Sequence, residues 1–181
     1  MRIITGIKRG LKLNIPQNDK IRPTLDRIKE SIFNIIMPIK ENAVVLDLFA
    51  GTGNIGLEFI SRGSEKVYFV DNSLDSINLL ELNIEKCGFK KSSEVIHAEY
   101  EVFLNNYSNR GLDIDYIYID PPYGELDINI VLKNVLNSNI ISTNSLIIYE
   151  DDTDRKIENE NFTTVDERKY GNIYVKFLKK R

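Results

Sequence analysis

The 181-residue sequence is poor in sulfur and imidazole, with one cysteine (Cys87) and one histidine (His97). A single cysteine excludes an intramolecular disulfide, and its place in an expected helix tail points to a reduced, cytoplasmic compartment. The lack of a Cys/His cluster argues against a structural zinc site, and no metal is expected. No apolar run approaches the ~20 residues of a membrane span. Met1-Arg2-Ile3-Ile4-Thr5-Gly6 lacks the apolar core of a signal peptide, so no membrane partner is expected. What is present is ordinary for a globular chain: 42% hydrophobic and 28% charged residues. That length and mixture suit one domain able to bury a real core.

Charge is unevenly placed. Residues 1–40 carry nine Lys/Arg against three acids, whereas the rest carries fifteen against twenty-four. A basic N-terminal segment on an acidic body suits a polyanion docked at one end; a solvated basic arm is the alternative.

Residues 2–15 read as a hairpin turning at Lys8-Arg9-Gly10. Arg22-Pro23-Thr24 leads into a helix in which Thr24 is the expected N-cap and Leu25, Ile28, Ile32, Ile35 and Ile36 recur at helical spacing. From Val44 strands and helices alternate. Strands are expected at Val44–Phe49, Lys66–Val70, Glu94–Ala98, Tyr116–Asp120 and Ser145–Tyr149. Helices are expected over Gly51–Arg62, after the cap Ser73 until Gly88, over Glu101–Asn106, and after the cap Asp127. An acidic loop, Glu150 to Asp154, precedes two strands, Phe162–Arg168 and Asn172–Leu178, paired around Tyr170-Gly171. This order predicts an α/β fold: a mostly parallel sheet with helices on both faces, finished by an antiparallel hairpin.

Ligands of such sheets bind beyond the carboxyl ends of the strands, where Asp47, Asp71 and Asp120 fall. In Asp47-Leu48-Phe49-Ala50-Gly51-Thr52-Gly53-Asn54-Ile55-Gly56 the glycines allow a tight turn and close approach of backbone to ligand. Asp71, twenty residues after Gly51, is placed to accept both hydroxyls of a ribose. The pattern alone fits NAD as well as S-adenosylmethionine. Asp47 tilts the choice, because a carboxylate there suits an ammonium and repels a pyrophosphate. Glu99 is placed to accept from an adenine amine, with Tyr100 or Phe103 against the ring. His97 reads as a partly buried strand residue.

The most telling element is Asp120-Pro121-Pro122-Tyr123. Successive prolines stiffen the turn and leave carbonyl acceptors without competing N–H donors. Asp120 adds a carboxylate acceptor and Tyr123 a ring on which a base can stack. Together they suit a planar base held by its exocyclic amine. Such a turn has no obvious role in hydride transfer.

With these residues in view the chain resembles the RsmD family of bacterial small-subunit rRNA guanine-N2 methyltransferases. The likeness runs through Met1-Arg2-Ile3-Ile4-x-Gly6, Arg9-Gly10-x-Lys12-Leu13, Arg22-Pro23-Thr24 with Arg27, Glu30 and Phe33-Asn34, Asp47 to Gly56, Asp120 to Tyr123 and Tyr170-Gly171. Glu99 stands where an aspartate is usual, as does Asn172. The resemblance implies a Rossmann-like, class I S-adenosylmethionine-dependent fold with a seven-stranded sheet. Residues 41–181 would form the methyltransferase domain, and 1–40 an RNA-binding hairpin-and-helix extension of it. It implies methyl transfer to N2 of a guanine in 16S rRNA, expected at guanine 966, with S-adenosylhomocysteine as product. A monomer acting on an assembled or assembling 30S subunit is expected.

The catalytic turn would be Asp120, Pro121, Pro122 and Tyr123. The cofactor would be held by Asp47, Phe49, Ala50, Gly51, Thr52, Gly53, Asp71, Asn72, Glu99 and Tyr100. RNA phosphates would meet Arg2, Lys8, Arg9, Lys12, Arg22 and Arg27. Rival readings are a DNA adenine-N6 methyltransferase, which shares the Asp-Pro-Pro-Tyr turn, an NAD-binding oxidoreductase, and a non-catalytic RNA-binding factor.

Overall fold

The computed structural model describes residues 1–15, 26–108, 111–122, 124 and 126–181. Arg22, Pro23, Thr24 and Tyr123 lie outside the described residues. In chain order the elements are α1 (Asp26–Ile36), β1 (Val44–Asp47), α2 (Asn54–Ser61), β2 (Lys66–Asp71), α3 (Leu74–Cys87), β3 (Ser93–His97), α4 (Tyr100–Tyr107), β4 (Ile114–Ile119), α5 (Ile128–Asn137), β5 (Ile141–Asp151), β6 (Phe162–Tyr170) and β7 (Ile173–Lys180). The seven strands form one sheet in the order β3-β2-β1-β4-β5-β7-β6, and β7 runs antiparallel to both its neighbours. This is the expected Rossmann-like class I methyltransferase architecture. Strand order reverses between β1 and β4, which opens a crevice at their carboxyl ends.

The central strands are apolar because both faces are covered. One core lies between the sheet and α1–α3 and includes Ile28, Phe33, Phe59, Phe69, Tyr118 and Phe177. The other packs α4 and α5 onto the opposite face through Phe103, Leu104, Val131, Leu132 and Ile117. α2 approaches the sheet closely because Gly56 lacks a side chain: a Cβ there would lie 2.2 Å from the Phe69 ring. Ser73 and Asp127 cap α3 and α5 as expected, and Gly88 ends α3 in the left-handed conformation.

The N-terminal hairpin is reduced to one antiparallel bridge, Arg2↔Lys12, with bonds from Ile3 N to Leu11 O and Gly10 N to Ile3 O. Its anchorage comes from α2. Glu58 accepts from the backbone N–H of Ile4 (2.7 Å) and Thr5 (2.9 Å), and Ile7 N donates to Ser61 O (2.8 Å). Gly6 turns with φ +87° against Ser61, where any Cβ would sit 1.7 Å from the Ser61 carbonyl oxygen.

Two expectations need correction at the other end of the chain. The acidic loop begins later than its composition suggests, because Glu150 and Asp151 are buried residues of β5 paired with Val175 and Tyr174 of β7. Their carboxylates are tolerated there because the Tyr118 and Tyr149 hydroxyls donate to them and Arg155 pairs with Asp151. The final hairpin closes Tyr170 on Ile173, so the two-residue loop is Gly171-Asn172.

Candidate active site

The carboxyl ends of β1, β2 and β4 and the loop after β3 surround one cavity of about 390 Å³. From the glycine loop it receives Asp47, Phe49, Ala50, Gly51 and Thr52; from the ends of β2 and β3 it receives Asp71, Asn72, Glu99 and Tyr100. Asp120, Pro121 and Pro122 line the same cavity. The proline turn and the glycine bend therefore open on each other, not into separate clefts. Gly53 is not among the lining residues; its left-handed turn (φ +79°) packs against Leu80 and starts α2.

Each acid in this cavity has a different setting. Asp47 is only 2% exposed and accepts from Gly56 N at 2.9 Å. Burial pushes its carboxyl up to about 7, the Gly56 N–H counters part of that, and the neighbouring Asp71 adds to it. Asp71 already holds the loop together, its oxygens accepting from Gly51 N (2.8 Å) and Ser73 N (2.9 Å). Each oxygen keeps a lone pair for a further donor. Glu99 and Asn72 are joined side chain to side chain at 3.1 and 3.2 Å. Asp120 is driven well above the usual carboxylate range by burial first, then by the charges of Glu150, Asp47 and Asp151. A cavity so rich in buried carboxylate suits a cation.

Its apolar wall is Phe49 against Tyr100, ring centroids 5.5 Å apart, with Asn134 donating to the Tyr100 hydroxyl at 3.3 Å. Phe103, the other expected ring partner, does not line the cavity and lies in the core, stacked on Tyr107. His97 is exposed at the tip of β3, its Nε2 3.0 Å from the Asn72 carbonyl. Sequence reasoning missed Tyr118, Asn54, Ser76 and Met1 as lining residues. Tyr118 was within reach: it lies two residues before Asp120, so strand alternation puts both on one face.

The basic candidates fare unevenly. Lys8, Arg9, Lys12 and Arg27 are exposed, and Arg2 is exposed beside Asp26 at 3.3 Å. Lys29, counted in the same basic segment, is fully buried: its ammonium donates to Arg2 O (2.6 Å) and Asn54 Oδ1 (2.7 Å) and pairs with Glu58 (3.3 Å). Lys40 is held by Asp115 at 2.5 Å.

Residues 1–179 match the family described as conserved hypothetical protein 95. The chain belongs to this, the RsmD family. Among its relatives, the ribosomal RNA small subunit methyltransferase D of Haemophilus influenzae is 35% identical over 178 residues, covering 94% of this chain and 89% of that protein. The Bacillus subtilis protein YlbH is 33% identical over 183 residues, spanning the whole of both. The solved structure of the Escherichia coli protein yhhF superposes with a TM-score of 0.87 at 25% identity, covering 100% of this chain and 98% of that one. As an RsmD family member the chain is an enzyme of the methyltransferase class.

Proposed function

We propose that the enzyme transfers a methyl group from S-adenosylmethionine to the exocyclic N2 of a guanine in 16S rRNA, guanine 966 by family resemblance. The observation that carries this reading is the shared cavity, in which the Asp120-Pro121-Pro122 turn faces the glycine loop of β1. The donor set fits the cofactor: a buried carboxylate at Asp47 for its ammonium, Asp71 for its ribose hydroxyls, and Phe49 with Tyr100 as an apolar wall. Ala50, Gly51, Thr52, Asn72 and Glu99 complete the contacts. When bound, the cofactor supplies an electrophilic methyl on a sulfonium.

The protein's part is positioning and electrostatics. A guanine amine is a poor nucleophile because its lone pair is delocalised into the ring. Asp120 and the Pro121 carbonyl, accepting its two hydrogens, favour a pyramidal nitrogen whose lone pair points into the cavity. They also stabilise positive charge as it develops there. Tyr123, by its place in the motif, would stack on the displaced base, a contribution of about 1–3 kcal/mol. Residues 1–40 would serve as the RNA-docking extension, using Arg2, Lys8, Arg9, Lys12, Arg22 and Arg27. A cytoplasmic monomer acting on the assembled or assembling 30S subunit, without a metal, completes the reading.

The test is incubation of the protein and radiolabelled S-adenosylmethionine with 30S subunits lacking the modification, beside naked 16S rRNA and duplex DNA. Mass spectrometry then locates the methyl. Label on a guanine N2 of 16S rRNA is expected; label on DNA adenine, or none, would overturn the reading.

A further inference from the structure

Glu150 is a carboxylate with 2% exposure, yet it stands beside the cavity and nothing in the proposed cofactor or base contacts uses it. Its place is fixed by strand register. β4 and β5 run parallel with Tyr118 level with Ile148 and Ile119 level with Tyr149. One step further brings Asp120 level with Glu150. Alternation then puts Tyr118, Asp120 and Glu150 on one face of the sheet, with Asp47 of β1 level with Tyr118. The Tyr118 hydroxyl, reaching across from β4, donates to Glu150. Tyr118 and Asp120 both line the cavity, and the Tyr118 hydroxyl joins the buried Glu150 to that lining.

We propose that Glu150, held by the Tyr118 hydroxyl, is a positioning residue that makes Asp120 the acceptor of the proton released in the reaction. The inference rests on the reading of Asp120 as the amine acceptor. As the nitrogen gains the methyl carbon, the electron pair of the broken carbon–sulfur bond stays on sulfur and the nitrogen becomes cationic. An N–H bond then breaks, its electron pair returning to nitrogen and its proton passing to an Asp120 oxygen. A lone exposed aspartate holds a proton weakly, whereas a half-buried one facing a second buried carboxylate holds it well. The charges acting on Asp120 are those of Glu150 and Asp151 of β5 and of Asp47 of β1, and Tyr118 of β4 shares its face. Asp71 acts on it at one remove, through Asp47. Arg155 and the Tyr149 hydroxyl engage Asp151, which leaves Glu150 as the acid on Asp120's own face of β5.

The test reads Asp120 directly. Carboxyl carbon NMR, with Asp120 assigned by its loss in Asp120→Asn, follows the titration of Asp120 in the wild-type protein and in Glu150→Gln. The Asp120 midpoint is expected to fall by about one pH unit or more in Glu150→Gln, and to return to the wild-type position in Glu150→Asp. Tyr118→Phe removes a hydroxyl donor to Glu150 and is expected to move the midpoint the same way, which covers the case in which Glu150→Gln does not fold. With 30S substrate, the acidic limb of the kcat profile should shift with the midpoint while S-adenosylhomocysteine affinity stays within a few-fold. An Asp120 midpoint unmoved in the folded variants would overturn the inference, whatever the substrate. Absence of rRNA methylation by the wild-type protein would instead overturn the function proposed above and leave the titration result standing.

Discussion

Asp47 shows at the level of one residue how a binding site can be built at the expense of stability. Its carboxyl titrates near 7 in the folded protein against 3.8 for an ordinary aspartate. Below about pH 4 both folded and unfolded chains hold the proton. Between about 4 and 7 the folded chain retains a proton that the unfolded chain has lost, so stability falls as pH rises through that window. The full effect is on the order of 4 kcal/mol. Asp47→Asn keeps an acceptor for Gly56 N and removes the charge. Thermal melts of the ligand-free protein should show the variant matching the wild type near pH 4 and exceeding it at pH 8. S-adenosylhomocysteine affinity should rise with pH through about 7 in the wild type and stay low and flat in the variant. Equal pH dependence of melting in both proteins would remove Asp47 as the titrating group. Asp120 makes a contrasting case in the same cavity. Asp120→Ala should abolish methyl transfer and leave S-adenosylhomocysteine affinity, measured by calorimetry, within a few-fold of wild type. A large loss of affinity would make Asp120 a cofactor residue.

Among elements, α2 does more than its eight residues suggest. Its first turn follows the glycine loop, its middle carries Glu58, and its last residue, Ser61, seats the N-terminal turn. Glu58 is fully buried and binds Lys29 of α1 (3.3 Å), Arg62 (2.8 Å) and two backbone N–H groups of the N-terminal segment. Burial holds the Lys29 ammonium below its usual range despite Glu58, so the pair depends on its partners staying in place. Glu58→Ala should cost about 3–5 kcal/mol in chemical denaturation, because a buried cation and two amides lose their acceptor at once. It should also raise hydrogen exchange at Ile4 and Thr5; a loss below about 1 kcal/mol would mean that solvent reaches the network. None of this was legible from sequence. Lys29 entered only the count of basic residues in 1–40, because burial of a paired charge depends on contacts 29 residues apart in the chain. The strands and helices, by contrast, were legible wherever apolar runs alternated with caps such as Ser73 and Asp127. β5 was read short at both ends, since its buried acids and polar start break the apolar pattern that marks a central strand.

For the whole molecule, the parallel sheet and its crevice follow from the order of elements, and a candidate site at the carboxyl ends of the strands follows with them. Surface electrostatics could not, because net charge by segment ignores which charges are already spent. Of the nine basic residues in 1–40, Lys29 is sealed inside, and Lys40 pairs with Asp115 of β4, which also accepts from Val44 N at the start of β1, at the end of the strands away from the cavity. Exposed candidates remain at Arg27 of α1 and at Arg2, Lys8, Arg9 and Lys12, the last four carried on an arm that α2 holds through Glu58 and Ser61. The Arg2–Asp26 pair is too exposed to withhold Arg2 from a phosphate. Neutralising these four with glutamine should lower the slope of log affinity against log salt for 16S rRNA by about three units, each phosphate contact contributing roughly 0.7–0.9. Lys40→Gln should leave that slope unchanged, because Lys40 lies at the end of the strands away from the cavity. Filter binding across a salt series decides the matter. A slope unaltered by the fourfold change would make the arm a solvated surface and move the RNA contacts elsewhere, whereas a loss with Lys40→Gln alone would place the polyanion at the opposite end of the strands.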